Sequence, residues 1–158
     1  MLKEVLGIRE GILADLHDDH EEVGALMERI LATKDQHERT ELFHEMMSKF
    51  LAHAHAEQKV LYRKLEKSKD PEIRKFAFEG DVEHEAAENQ VQVLAKARNK
   101  ESEQWTARMT FLQEAILHHV KEEESTGFAS AHKEFDRDQL EKLAEQFRRE
   151  KEKLLATA

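Results

Sequence analysis

The chain has 158 residues and no cysteine, a length that suits one domain with its own core and a composition that excludes disulfides, thiolate metal sites and a cysteine nucleophile. Acidic residues outnumber basic ones 34 to 25 for a formal net charge of -9, and the basic residues are scattered, so we expect no nucleic-acid partner. No apolar run is long enough to span a bilayer and the first residues carry acids where a signal peptide is apolar, so we expect a cytoplasmic protein without a membrane partner, monomeric or weakly homo-oligomeric.

Five glycines and one proline, with abundant Glu, Lys, Leu and Ala, predict an all-α chain. A first helix is expected from about residue 8 to 33, because mainly apolar residues recur there at steps of three and four and so share one helix face, called the seam below. A second helix is expected from about 38 to 67 after a polar break. The seams of these two helices comprise Leu13, Leu16, His20, Val23, Met27, Ile30, Phe43, Met46 or Met47, Phe50, Ala54, Leu61 and Leu65.

A third helix is predicted over about 71–98, since Pro71 suits a first helical turn and Asp70 can cap it. Ser102 and Glu103 open a fourth, whose pattern weakens near STGFAS, and a shorter amphipathic helix follows over about 136–154. Four long helices with short connections predict an antiparallel up-and-down four-helix bundle, residues 1–130, with a C-terminal helical extension, residues 131–158, packed on it.

Each of the four long helices carries one histidine on its apolar seam, namely His20, His53, His84 and His119. A buried imidazole that lacks a partner costs about 1–3 kcal/mol, and a single core histidine usually bonds to a carbonyl or a carboxylate. Four such residues, one on each helix, instead predict a shared site in the middle of the bundle.

Glutamates follow three of these histidines at the fourth position, which places each pair on one helix face. A buried glutamate is costly unless a cation balances it, and imidazoles with carboxylates suit iron, manganese or zinc better than calcium. Seven candidate metal ligands exceed the needs of one tetrahedral ion and predict two ions that share carboxylates. These candidates are His20, His53, Glu57, His84, Glu88, His119 and Glu123. A ferritin-like site would need two Glu-x-x-His motifs, and only Glu41 with His44 has that spacing.

Four segments, LHDDHEEV, HAHAEQKVLY, VEHEAAENQV and HHVKEEES, together resemble the hemerythrin-like, or HHE cation-binding, family over residues about 10–126. The resemblance implies a four-helix bundle around two non-haem iron ions with oxo or hydroxo bridges, which binds dioxygen or nitric oxide. It also implies that Glu57 and Glu123 are bridging carboxylates. Oxygen-carrying hemerythrins have His-x-x-x-His on the third helix, where this chain has His84 and Glu88, and this difference counts against reversible oxygen transport.

Several neighbouring residues have two interpretations each. For His17 we expect an exposed or supporting role, with metal ligation as the alternative; His55 is expected at the surface or between helices. His118 competes with His119 for the seam, which favours His119. Glu122 and Glu124 are expected on a solvated face, with hydrogen bonds to the ligand imidazoles as the alternative. Tyr62 either packs in the core or donates to a bound oxygen species.

The leading functional hypothesis is a di-iron protein that binds dioxygen, nitric oxide or peroxide for sensing, storage or detoxification, with a separate redox partner. A second hypothesis is an enzyme at the same site, with peroxidase, catalase-like or nitric oxide reductase activity. A third is a structural interaction module that docks through its C-terminal helix.

Overall fold

The computed structural model describes residues 9–157, and all regular secondary structure within that range is helical. The elements are α1 (Ile12–Ala32), α2 (Gln36–Glu57), π1 (Gln58–Tyr62), α3 (Arg63–Leu65), α4 (Pro71–Lys96), α5 (Glu103–Glu122), π2 (Glu123–Gly127), α6 (Phe128–Glu134) and α7 (Arg137–Ala156). The prediction of an all-α chain is confirmed. Residue 8 of the predicted first helix, and residues 1–8 and 158 of the two predicted domains, lie outside the described residues.

Side-chain caps set the starts of four helices. The predicted cap at Asp70 is confirmed, since it accepts from the backbone N–H of Glu72 with Pro71 in the first turn. At the predicted start of the fourth helix, Ser102 accepts from the backbone N–H of Trp105. Asp35 caps α2 in the same way. At α7, Asp136 and Gln139 form a reciprocal capping box.

Two of the helical rods contain a widened turn that the sequence analysis did not predict. The backbone N–H of Arg63 bonds to the carbonyl of Gln58, five residues back, so α2 continues through π1 into α3. The N–H of Phe128 likewise bonds to the carbonyl of Glu123, so α5 continues through π2 into α6. The weak pattern at STGFAS therefore marks a π-helical turn, and not the end of the fourth helix.

In the contacts between consecutive long helices, later residues of one helix pair with earlier residues of the next. Asp19 and Glu22 of α1 pair with His53 and Lys49 of α2 respectively, so the partner number falls as the first number rises. The contacts between α2–α3 and α4, and between α4 and α5, show the same reversal: His55 with Glu88, Arg63 with Asp81, Glu83 with His119 and Gln90 with Arg108.

The apolar core consists of two clusters, one toward each end of the long helices. One cluster includes Leu16, Tyr62, Ala77 and Phe128, and the other includes Val23, Phe50, Val91 and Ile116. On every long helix the seam histidine falls near the change from one cluster to the other. The fold therefore places a polar layer between two apolar ones.

The last helix, α7, packs on α1 and α2 through Leu140, Leu143, Ala144 and Phe147, all of which are buried. Among the helices of residues 9–157, none combines the length and the apolar character needed to cross a membrane.

Candidate metal centre

Six of the seven predicted ligands come together in the polar layer as two groups that share one residue. The four-residue group contains Glu57, His84, His119 and Glu123, and each contributes one potential ligand atom within 4.8 Å of the others. The three-residue group contains His20, His53 and again Glu123, within the same distance.

Glu123 lies between the two groups, with one carboxylate oxygen toward each. Its Oε1 is 3.1 Å from Nε2 of His20, and its Oε2 is 3.2 Å from Nε2 of His119. Glu57 is placed similarly, since its Oε1 lies 3.3 Å from Nε2 of His84 and 3.6 Å from Nε2 of His53. All four histidines thus direct Nε2 toward the carboxylates at the centre.

Several polar atoms of this centre are buried without a hydrogen-bond partner, and they test whether a cation fits here. They are Nε2 of His20, Oε1 of Glu123 and both carboxylate oxygens of Glu57, whose side chain is fully buried. An unpaired buried carboxylate costs several kcal/mol, and a cation at that position converts the cost into a gain. The residues therefore fit metal ions, and a set of nitrogen and oxygen donors without thiolate fits iron, manganese or zinc.

Carboxylates hold the far side of three of the four imidazoles. The Nδ1 atom of His53 lies 2.9 Å from Oδ2 of Asp19, that of His20 lies 2.8 Å from Glu124, and that of His119 lies 3.2 Å from Glu83. A carboxylate that accepts the Nδ1 proton fixes the ring orientation and leaves the Nε2 lone pair free for a metal.

His84 is held differently from the other three histidines. Its ring stacks on Tyr62 with 5.2 Å between centroids and an interplanar angle of 25°, and its buried Nδ1 has no hydrogen-bond partner. Its Nε2 lies 3.0 Å from Nε2 of His119. Two imidazole nitrogens at this distance could both hold one metal ion of the four-residue group.

Tyr62 contacts the centre directly, because its hydroxyl donates a hydrogen bond to Oε2 of Glu123 and lies 3.3 Å from Nε2 of His119. In a regular α-helix, a residue five positions after Glu57 would point about 140° away from it. The widened turn π1 returns Tyr62 to the face of Glu57. The Tyr62 ring occupies the space beside Gly80, where an added Cβ would lie 2.6 Å from Cε2 of the ring.

Burial and mutual contacts shift the pKa values of the central residues in opposite directions. Burial raises the pKa of Glu57 well above its usual range, and repulsion from Glu123 raises it further. Burial acts the same way on Glu123, yet the close contacts with the imidazoles of His119 and His20 hold its pKa well below the usual range. Although burial opposes protonation of His20 and His119, contacts with Glu123 and with their outer carboxylates raise both pKa values to about 9.

Glu88 is the predicted ligand that the structure does not bring to the centre. Its carboxylate lies 2.9 Å from Nε2 of His55, and the two side chains are partly exposed, Glu88 at 35% and His55 at 41%. Of the two glutamates that face the centre, Glu57 directly precedes π1 and Glu123 is the first residue of π2, whereas Glu88 lies in the regular helix α4. Spacing of four residues alone therefore does not bring a carboxylate into the polar layer.

His17, His118 and Glu41 lie outside the two groups. His17 has a supporting place, with Nδ1 2.7 Å from Oε1 of Glu124, whose other oxygen accepts from His20. His118 points to a surface pocket that contains Phe78 and Val82. Glu41, from the Glu-x-x-His motif that a ferritin-like site would use, is 70% exposed.

Asp19 and Glu83 are supporting residues that the sequence analysis missed. Each immediately precedes a seam histidine, Asp19 before His20 and Glu83 before His84, yet each accepts from the histidine of a neighbouring helix. An acidic residue directly before a seam histidine is the signal that would have identified them.

Comparison with known proteins agrees with this geometry. The family model of the hemerythrin HHE cation-binding domain matches residues 11–131, so the chain belongs to that family. It is also 28% identical over 140 residues to a protein named DNA nickase from Nostoc sp., an alignment that covers 86% of this chain and 38% of the relative. The chain thus spans well under half the length of that relative. No solved structure matches the chain.

Proposed function

We propose that this chain is a non-haem di-iron protein that binds dioxygen, nitric oxide or peroxide for sensing, storage or detoxification. The observation that carries the proposal is Glu123, whose two oxygens lie beside histidines of two different groups. One shared carboxylate between two sets of imidazoles is the arrangement that two neighbouring ions require. Manganese or zinc would fit the same donors.

In this proposal the helices form an antiparallel four-helix bundle, which the reversed contacts between neighbours support. Residues 1–130 would form the bundle domain and residues 131–158 the extension. His20 and His53 would hold one ion, His84 and His119 the other, and Glu57 and Glu123 would bridge them. Asp19, Glu124 and Glu83 would orient three of the imidazoles.

Two ferrous ions, when bound, would supply two electrons at adjacent positions to a small oxidant. The remaining chemistry belongs to the chain. The Tyr62 hydroxyl provides a hydrogen-bond donor inside the polar layer, and the two apolar clusters keep bulk water from it. A separate redox partner would return electrons to the centre.

A small cavity next to the centre supports a small ligand. It has a volume of about 20 Å³ and is lined by the histidines His20, His53, His84 and His119 together with Val23, Met27, Phe50, Ile116 and others. A cavity needs about 10–15 Å³ to hold one water molecule, so this one has room for a single molecule of that size. This size favours a small ligand such as dioxygen, nitric oxide or peroxide over a large organic substrate.

The test is to load the protein anaerobically with ferrous iron and mix it with dioxygen, nitric oxide or hydrogen peroxide while recording visible absorption. We expect a new absorption band with at least one of the three. The variant His53→Ala should lose the band, and the matched variant His55→Ala, two residues away with a half-exposed ring, should keep it. A protein that binds iron yet gives no spectral change with any of the three would contradict the proposal.

A second candidate is catalytic turnover at the same centre, as a peroxidase, a catalase-like enzyme or a nitric oxide reductase. The observation that favours it is the buried Tyr62 hydroxyl beside Glu123 and His119, whose proton would have to turn from Glu123 to reach a reacting oxygen. A steady-state assay with peroxide or nitric oxide separates the two functions. Rates no higher than those of free iron would reject turnover and leave ligand binding.

The name of the Nostoc relative raises DNA cleavage as an activity to test. We propose that this chain does not act on DNA, because its formal net charge of -9 repels the phosphate backbone. Incubation of the iron-loaded protein with supercoiled plasmid should leave the plasmid intact. Nicking that disappears in Glu123→Gln would contradict this and assign the activity to the metal centre.

A further inference from the structure

We infer that α7, which follows the region matched by the family model, positions one of the candidate metal ligands. Lys151 of α7 positions Asp19, and Asp19 positions the imidazole of His53. The inference concerns the three-residue group and rests on the proposed metal binding there.

The carboxylate of Asp19 is held from two sides. Nζ of Lys151 lies 2.6 Å from Oδ1, and Nδ1 of His53 lies 2.9 Å from Oδ2. The side chain of Asp19 is only 12% exposed and that of Lys151 is 24% exposed, so water competes weakly for these bonds. Because both oxygens are engaged, a movement of Lys151 changes the orientation of the carboxylate that holds His53.

The same helix also packs against the His53 ring. Phe147, which is fully buried, meets His53 edge-on with 5.8 Å between centroids, and Nζ of Lys151 lies 5.1 Å from the Phe147 ring centroid. On another side, His20 meets His53 at 5.0 Å. The position of His53 is therefore set by α7 through one polar chain and one apolar contact.

Backbone contacts fix where α7 lies. Gly11 has a φ of 55°, a conformation that L side chains rarely adopt, and a Cβ there would lie 2.4 Å from the carbonyl carbon and oxygen of Leu140. Nearer the site, Arg148 pairs with Asp15 of α1 at 2.8 Å. α7 is thus packed closely enough on α1 to direct Lys151 at Asp19.

The effect should be confined to one of the two groups. In the four-residue group, Glu83 holds His119, and both residues lie on helices that are not among the main packing partners of α7. Loss of an outer partner of a metal ligand weakens metal binding by about 10–100-fold. Since Lys151 acts one residue further out, we expect Lys151→Met to weaken one of the two metal sites by about tenfold and to leave the other unchanged.

The experiment is an anaerobic titration of the full chain with Co²⁺, followed by its absorption, for the wild type and three variants. Lys151→Met should weaken one site about tenfold, and Lys151→Arg should restore it. The matched control Arg148→Met removes the other ion pair between α7 and α1 and should leave both sites unchanged. Equal titrations for Lys151→Met and Arg148→Met would overturn the inference.

A metal-free measurement separates this inference from the proposed function. In the apo protein, the ¹⁵N-detected signal of the His53 Nδ1–H proton should be protected from exchange in the wild type and in Arg148→Met, and should lose protection in Lys151→Met. If the wild type binds no Co²⁺, the proposed function fails, and the imidazole signal still tests the link. An unchanged His53 signal in Lys151→Met would overturn the inference, and Lys151→Gln serves as the second variant if the Met substitution unfolds the chain.

Discussion

Gly24 of α1 and Gly80 of α4 should respond to alanine in opposite directions. Both lie inside long helices, where alanine in place of glycine stabilises by about 0.5–1 kcal/mol if the new methyl group has space. At Gly24, apart from the adjacent residues and the backbone of the same helix, no atom lies within 4 Å of the added Cβ. At Gly80 the added Cβ would meet the Tyr62 ring at 2.6 Å from Cε2 and 2.9 Å from the hydroxyl oxygen.

The magnitude at Gly80 follows from this overlap. The Tyr62 ring has to move by several tenths of an ångström or more inside a packed core, and overpacking of this kind costs about 1–3 kcal/mol. The movement also disturbs the hydrogen bond from the hydroxyl to Glu123, and a hydrogen bond to a charged group contributes about 1.5–3 kcal/mol. Even after the helix-propensity gain of about 0.5–1 kcal/mol, we expect Gly80→Ala to lower the free energy of unfolding by about 1.5 kcal/mol or more.

Urea unfolding of the metal-free protein, followed by circular dichroism, measures both free energies of unfolding under one set of conditions. Gly24→Ala should raise the value by about 0.5–1 kcal/mol and leave metal binding unchanged. Gly80→Ala should lower it and also weaken metal binding, because Tyr62 can no longer hold Glu123. If Gly80→Ala stabilises the chain as Gly24→Ala does, the placement of Tyr62 against Glu123 is wrong.

Three further predictions concern the centre itself. Glu123→Gln should reduce bound iron to at most one ion per chain, whereas the control Glu88→Gln should leave two. Elemental analysis after gel filtration measures this number. Retention of two ions in Glu123→Gln would contradict a shared carboxylate. The two imidazoles that contact Glu123 have pKa values of about 9 in the metal-free protein, so each ion must displace a proton. The affinity for Zn²⁺ should therefore rise by up to about tenfold per pH unit from pH 6.5 toward 9 and then level off. An affinity that is independent of pH in a chelator competition would refute this prediction. Leu117, 47% exposed at the cavity, should when changed to Ala speed air oxidation of the bound iron several-fold, while the exposed Phe111→Ala on the same helix should not.

The seam pattern was sufficient to predict much of the centre. His20, His53, His84 and His119 interrupt apolar seams at regular helical steps, and the structure brings all four together with Glu57 and Glu123. The helix starts at Asp70 and Ser102 were also predictable, because a cap acts on the residues that directly follow it.

The remaining features depend on contacts between helices, which periodicity does not report. Neither π-helical turn was predicted from the sequence, yet π1 brings Tyr62 onto the face of Glu57 and π2 begins at Glu123. Asp19 was missed because it serves a histidine 34 positions away on another helix. Lys151 reaches it from α7, which the sequence analysis treated only as a packed extension.

The most direct test of the two-ion centre is the number of ferrous ions that one chain binds. Anaerobic titration with ferrous iron, removal of the excess by gel filtration and elemental analysis of the protein fraction give this number. Two groups that share Glu123 predict two ions per chain. One ion or none, from a chain shown to be folded by circular dichroism, would contradict it.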